Sequence, residues 1–231
     1  TLDGPQTTGG ASRNLREPHH SVRHDHNVTV PVREGIFSLW ARGTAMAFLM
    51  VMGVCFMISW QRTPSYFKYL RRGFTIFLGG MVLYFMTYLI VPGAAIKFGI
   101  LHLIGVSALL QPLFARFGAW NAAIAVLWTI VGLRLTSLTT ESVLLFPFGI
   151  IYPEFYSLDY YPLFPWFGTV LMGMAVGSVL YIPERMHTLK KIDNLPYPKS
   201  LLWMGRNALP LYFVHQPVLM IILVLVMRMP I

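Results

Sequence analysis

Charge is what this sequence has least of. Only 12% of its 231 residues are charged, against roughly 25% in an ordinary soluble domain. Acid is scarcer than base, with nine Asp and Glu against 18 Lys and Arg. The single cysteine, Cys55, excludes an intrachain disulfide framework. It sits inside an apolar run and reads as a packing residue rather than an acyl-carrying nucleophile. There is no P-loop, zinc signature or nucleophile elbow, which removes several soluble enzyme classes. The apolar runs also lack the polar outer faces that a soluble helical bundle needs.

What the chain does contain is hydrocarbon, 55% of residues being hydrophobic. Several runs approach or exceed the ~20 helical residues that cross a bilayer core. They fall at 36–60, 73–91, 98–115, 119–134, 163–182 and 201–227. The expected fold class is therefore all-α, a polytopic transmembrane helix bundle of about six spans, over residues 36–231. The Met-rich first span (Met46, Met50, Met52 and Met57) reads as packing material, and no internal repeat is visible that would point to an inverted-repeat transporter. The net charge of +9 does not point to nucleic acid, because the bases sit in short loops between apolar runs. Loops 61–72, 116–118 and 183–199 carry nine bases against two acids. Loops 92–97 and 135–162 carry Lys97 against Glu141, Glu154 and Asp159. The positive-inside rule puts the first three in the cytoplasm.

By the same rule the polar arm, residues 1–35, lies outside and reads as a loop or disordered segment. Its His-rich tract (His19, His20, His24, Asp25 and His26) reads as solvated rather than as a metal site, and Asn27-Val28-Thr29 matches a glycosylation acceptor. The arm has no leader and begins with Thr, so an outside position is easiest to understand if another helix precedes it.

The few polar side chains in or beside the spans carry the functional argument, because burying them in hydrocarbon is costly. His102 lies about 6 Å into the third span, entering from the outside. His215 lies about 20 Å along the last span from its cytoplasmic end, also in the outer half. Asp159 stands at the outer mouth of the fifth span. Two imidazoles and a carboxylate are thus expected in one leaflet. An imidazole can take a proton from an attacking amine or hydroxyl, and a carboxylate on its other nitrogen would fix the tautomer. The alternative is that each His joins helices through a hydrogen bond. Arg42 reads as a snorkelling residue. Arg206 serves equally as an anion contact or a positive-inside residue, and Tyr160, Tyr161 and Trp166 as a substrate wall or an interfacial belt.

Three segments containing these residues resemble the prokaryotic branch of the heparan-α-glucosaminide N-acetyltransferase catalytic-domain family. They are Phe98-Gly99-Ile100-Leu101-His102-Leu103-Ile104-Gly105, then Asp159-Tyr160-Tyr161-Pro162-Leu163-Phe164-Pro165-Trp166-Phe167-Gly168, then Gly205-Arg206-Asn207-Ala208-Leu209 with His215-Gln216-Pro217. The resemblance runs from about residue 31 to the end. It implies an enzyme of a prokaryotic plasma membrane that takes acetyl from acetyl-CoA in the cytoplasm, without a metal, and passes it to an amino-sugar or other glycan acceptor outside. On that basis His102 and His215 are general bases or acyl-site ligands and Asp159 an orienting carboxylate. Arg206, with Asn207 beside it, becomes a coenzyme contact, and the cytoplasmic Lys and Arg attract the polyanionic donor. Family members begin with a span carrying Arg…Asp-x-x-Arg-Gly. Here Arg42-Gly43 is the nearest match, with Leu39 at the Asp position, so that motif is absent and a missing first span is expected.

The leading expectation is a membrane-bound acyltransferase in contact with lipid. It excludes nucleic acid as a partner and leaves a homo-oligomer open. The others are a small-solute transporter with a His/Asp proton relay and a non-catalytic membrane scaffold.

Overall fold

The structure is a computed structural model. It describes residues 36–90, 95–157, 159–180, 198–207, 210, 211 and 214. Packing divides the chain into Thr1–Trp40 and Ala41–Ile231, and the site lies within the second unit. The helices are α1 (Ile36–Arg62), α2 (Tyr66–Ile90), α3 (Ile100–Phe114), α4 (Asn121–Leu135), α5 (Leu163–Leu180) and α6 (Lys199–Arg206). Short 3-10 turns occupy Ala115–Trp120 and Val143–Phe148. Among the described residues there are two isolated bridges, Phe98 with Tyr160 and Thr139 with Ile151, and no strand.

The all-helical expectation holds. Among the described residues four stretches are long and apolar enough to cross a membrane: Leu39–Arg62, Tyr66–Leu89, Ile100–Leu135 and Leu163–Leu180. The arm, loop 183–197 and most of the expected last span lie outside the described residues. The second span begins at Tyr66 rather than 73, so Lys68, Arg71 and Arg72 ride on α2 instead of lying in a loop. Thr63 precedes Pro64, which disfavours helical backbone there, and α1 duly ends at Arg62. Only three residues then separate the two helices.

The third stretch is broken. Gly118 has φ +52°, in the left-handed region that glycine tolerates without penalty. A continuous helix would hold residues 114 and 128 about 21 Å apart. Instead the Phe114 and Trp128 rings are 6.1 Å apart, and Phe167 packs against both. The chain therefore folds back, and the expected third and fourth helices are separate. The buried Asn121 amide holds the turn by donating to the carbonyls of Phe114 (3.0 Å) and Gly118 (2.9 Å), which satisfies acceptors that a helix end leaves open.

Glycines set the pairing. Gly73 faces Gly105 and Leu109 while Gly80 faces His102, so α2 and α3 are antiparallel. Gly132 faces Pro165 while Gly168 faces Thr129, so α4 and α5 are antiparallel as well. Gly53 and Gly177 on α1 and α5 let the two backbones meet at Val170–Met174 and Val54–Met57, and these helices run parallel. Small residues at helix contacts are how bundles pack where lipid is as apolar as leucine. The core is centred on Leu49, Leu103, Phe167, Val170, Leu171 and Met174, all fully buried. The outward faces of α2 and α4 expose Phe74, Phe85, Leu89, Leu127 and Leu133. Water does not tolerate so large an apolar surface, but a bilayer does.

Candidate active site at the head of α3

The chain just before α3 is tied to the loop before α5. Tyr161 N–H donates to the Phe98 carbonyl at 2.9 Å. Lys97 N–H donates to Ser157 Oγ at 3.1 Å, and that hydroxyl donates to the Asp159 carbonyl at 2.7 Å. Ile96 N–H reaches Thr87 Oγ1 on α2 at 3.1 Å. The Tyr160 hydroxyl donates to the Phe146 carbonyl at 2.6 Å, and burial pushes this phenol up to about 12. Lys97 donates to the Tyr152 hydroxyl and lies over the Tyr152 and Phe155 rings, 4.9 Å from each centroid.

This scaffold delivers Asp159 to the first turn of α3. Its Oδ2 accepts the Ile100 N–H at 3.0 Å, capping a helix whose own Gly99 has no side chain to do so. A carboxylate is favourable at a helix amino terminus, where donors are unpaired and the dipole is positive. Burial raises the Asp159 pKa, and the Ile100 hydrogen bond works against that rise.

His102 is two residues further on and 2% exposed. Its ring lies beside Phe98 (5.5 Å between centroids, 28° between planes) and at the edge of Phe77 (5.4 Å, 88°). Gly80 covers it so closely that a methyl there would lie 2.9 Å from Nδ1. Among the described residues neither ring nitrogen has a hydrogen-bond partner, and a buried polar atom without one costs about 1–3 kcal/mol. His102 and Asp159 share one crevice with Gly80, Leu83, Ile96 and Gly99, too tight for a water.

The structure thus brings these two predicted residues together, with one correction. Asp159 makes its hydrogen bond to the Ile100 backbone, not to the imidazole, so it orients the helix that carries His102 and does not fix the ring's tautomer. His215 lies outside the described residues. Arg206 ends α6, and its side chain is likewise outside them. Asn207 Nδ2 donates to the Trp203 carbonyl at 2.9 Å, so one of its donor bonds closes its own helix end.

Sequence reasoning missed a cavity. A groove of about 640 Å³ runs between α1 and the α2–α3 pair, from Ser59, Tyr69, Arg72 and Gln111 at one end to Ala41 and Tyr161 at the other. Ile100 and Leu101 line both the groove and the crevice. Gln111 (1% exposed) and Tyr69 (3%) have buried polar atoms, Nε2 and the hydroxyl, with no partner among the described residues. The signal lay in Leu110-Gln111-Pro112, where a neutral amide interrupts an apolar run. Attention to ionisable residues alone passes over it. Tyr161 at the far end has its phenol raised by burial, then by the Asp159 charge, and lowered by the Arg42 charge. Among the described residues no cluster of His, Cys, Asp or Glu could hold a metal ion.

Apolar helices of membrane length define an integral membrane protein, with the buried His102 and the half-buried Asp159 together at the head of α3. Residues 21–217 match the model of the family described as heparan-alpha-glucosaminide N-acetyltransferase, catalytic, and the chain belongs to that family. No curated protein and no solved structure matches it.

Proposed function

We propose that the protein is a membrane acetyltransferase that takes acetyl from acetyl-CoA in the cytoplasm and delivers it to an amino-sugar or other glycan acceptor on the opposite side. The single observation that carries this reading is a groove with a basic, polar end that shares the wall residues Ile100 and Leu101 with the His102–Asp159 crevice. Six spans with the 61–72, 116–118 and 183–199 loops in the cytoplasm would put Arg62, Lys68, Arg71 and Arg72 where a polyanionic donor arrives. The unpartnered Gln111 and Tyr69 groups suit the amides of a pantetheine arm. Arg206 and Asn207 are further proposed donor contacts, and His215 a second base.

The chemistry asks little of the protein beyond placement and proton transfer. His102 accepts a proton from the acceptor amine or hydroxyl as the new bond to the acetyl carbon forms. The carbon–sulfur bond breaks, and the proton passes to the departing thiolate. Asp159 is a positioning residue, holding the first turn of α3 and with it the imidazole.

Purified protein in lipid, supplied with acetyl-CoA and glucosamine-type acceptors, tests this. Acceptor-dependent release of CoA that His102→Ala abolishes is the expected result. Absence of both turnover and CoA binding in a folded preparation would overturn it.

A further inference from the structure

The groove changes character along its length. Near Arg72 it is polar. Toward Asp159 its walls are Ala41, Ala45, Phe48, Val51, Ile100 and Leu101, with Thr44 and Tyr161 at the rim. Phe48 and Val51 line this half and are nonetheless 54% and 59% exposed. Their helix is one of the membrane-length stretches, so this half opens sideways onto hydrocarbon rather than onto water. Arg42, exposed and next in sequence to the lining residue Ala41, acts electrostatically on Tyr161 at the rim.

A guanidinium above a trough open to the bilayer is complementary to a molecule with a phosphate at the interface and a hydrocarbon tail below it. Arg is suited to that phosphate because its planar fork can donate two parallel hydrogen bonds. The tail would cover apolar wall at a gain of about 25 cal/mol per Å² wherever the alternative is water. Against lipid that gain vanishes, so selectivity must come from the charge. Because Ile100 and Leu101 belong to both cavities, a head group in this half of the groove lies against the wall of the His102–Asp159 crevice.

We propose that the acceptor is a saccharide borne on an anionic membrane lipid, with its phosphate at Arg42 and Tyr161 and its tail in the Phe48–Val51 half of the groove. This rests on the acetyltransferase reading and specifies its substrate class. Lateral diffusion in the leaflet brings such an acceptor to an imidazole that is 2% exposed. In the transfer the acetyl carbon–sulfur bond breaks and a carbon–nitrogen or carbon–oxygen bond to the sugar forms. The sugar's proton goes through His102 to the thiolate, and no redox partner is needed.

The test offers radiolabelled acetyl-CoA and either glucosaminyl hexadecyl phosphate or free glucosamine to the protein in phosphatidylcholine nanodiscs. The lipid-borne acceptor should have a kcat/KM at least tenfold higher. Arg42→Gln, and Val51→Trp to fill the trough, should each raise its KM about tenfold, the scale of one lost contact, with kcat within about twofold. Equal use of both acceptors, or an unchanged KM in Arg42→Gln, overturns the lipid proposal and leaves the acetyltransferase reading standing. If neither acceptor is turned over, native mass spectrometry with hexadecyl phosphate decides. Retention by the parent, lost in Arg42→Gln and not competed by inorganic phosphate, supports the lipid site while the acetyltransferase reading falls. No retention, or displacement by inorganic phosphate, overturns the site.

Discussion

The Asp159 carboxylate accepts the backbone N–H of Ile100 at 3.0 Å and so caps, from 59 positions further along the chain, the helix that carries His102. Asp159→Ala removes the cap and should destabilise the protein by about 0.5–2 kcal/mol. Asp159→Asn keeps an acceptor of similar capping strength and should lose far less. Thermal unfolding in one detergent compares the two, and equal losses would count against the capping role.

The same carboxylate makes a pH prediction. Burial raises its pKa from 3.8 in the folded protein, so the folded state holds the proton more tightly than the unfolded state. This contribution to stability is present at low pH and is lost as pH rises above 3.8 through the raised folded value. The melting temperature of Asp159→Asn minus that of the parent should therefore grow from pH 4 toward neutrality. A flat difference would show that the Ile100 hydrogen bond cancels the effect of burial.

His102 should be replaceable without loss of fold, because its ring nitrogens bond no described residue. His102→Phe keeps an aromatic ring between Phe77 and Phe98 and removes two unsatisfied polar atoms, each costing about 1–3 kcal/mol. Its melting temperature should hold or rise while acetyl transfer falls by about 10²–10⁴-fold, the usual worth of a general base. Full activity in that variant would remove His102 from the chemistry.

Gly80 is the specificity control on that geometry. In Gly80→Ala the added methyl meets the imidazole at 2.9 Å, so the ring must move, and turnover should fall at least about tenfold, as for other small misplacements of a catalytic group. Gly43→Ala, where nothing lies within 4 Å, should keep turnover and gain up to about 1 kcal/mol of helix stability. Equal turnover in the two would mean that the imidazole's position does not matter.

Gln111→Leu tests the groove. Losing one hydrogen bond to the donor should raise the KM for acetyl-CoA about tenfold, and removing a buried orphan amide should raise the melting temperature. A lowered melting temperature with an unchanged KM would make Gln111 structural.

Residue type and order were enough to establish that the chain is helical, that its helices are of membrane length, and that His102 and Asp159 lie at the same end of them. Hydropathy and charge are properties each residue carries into any fold, and a bilayer forces apolar runs into helices whose backbone bonds are internal. The start of α2 was misplaced because charge marks where a helix leaves hydrocarbon, not where its hydrogen bonding stops. Only tertiary packing decided what Asp159 bonds and that Gln111 and Tyr69 face a cavity. Those outcomes depend on how close two backbones come, at Gly80 against His102 and Gly53 against Val170. That approach is set jointly by side chains far apart in sequence, and no local window contains it.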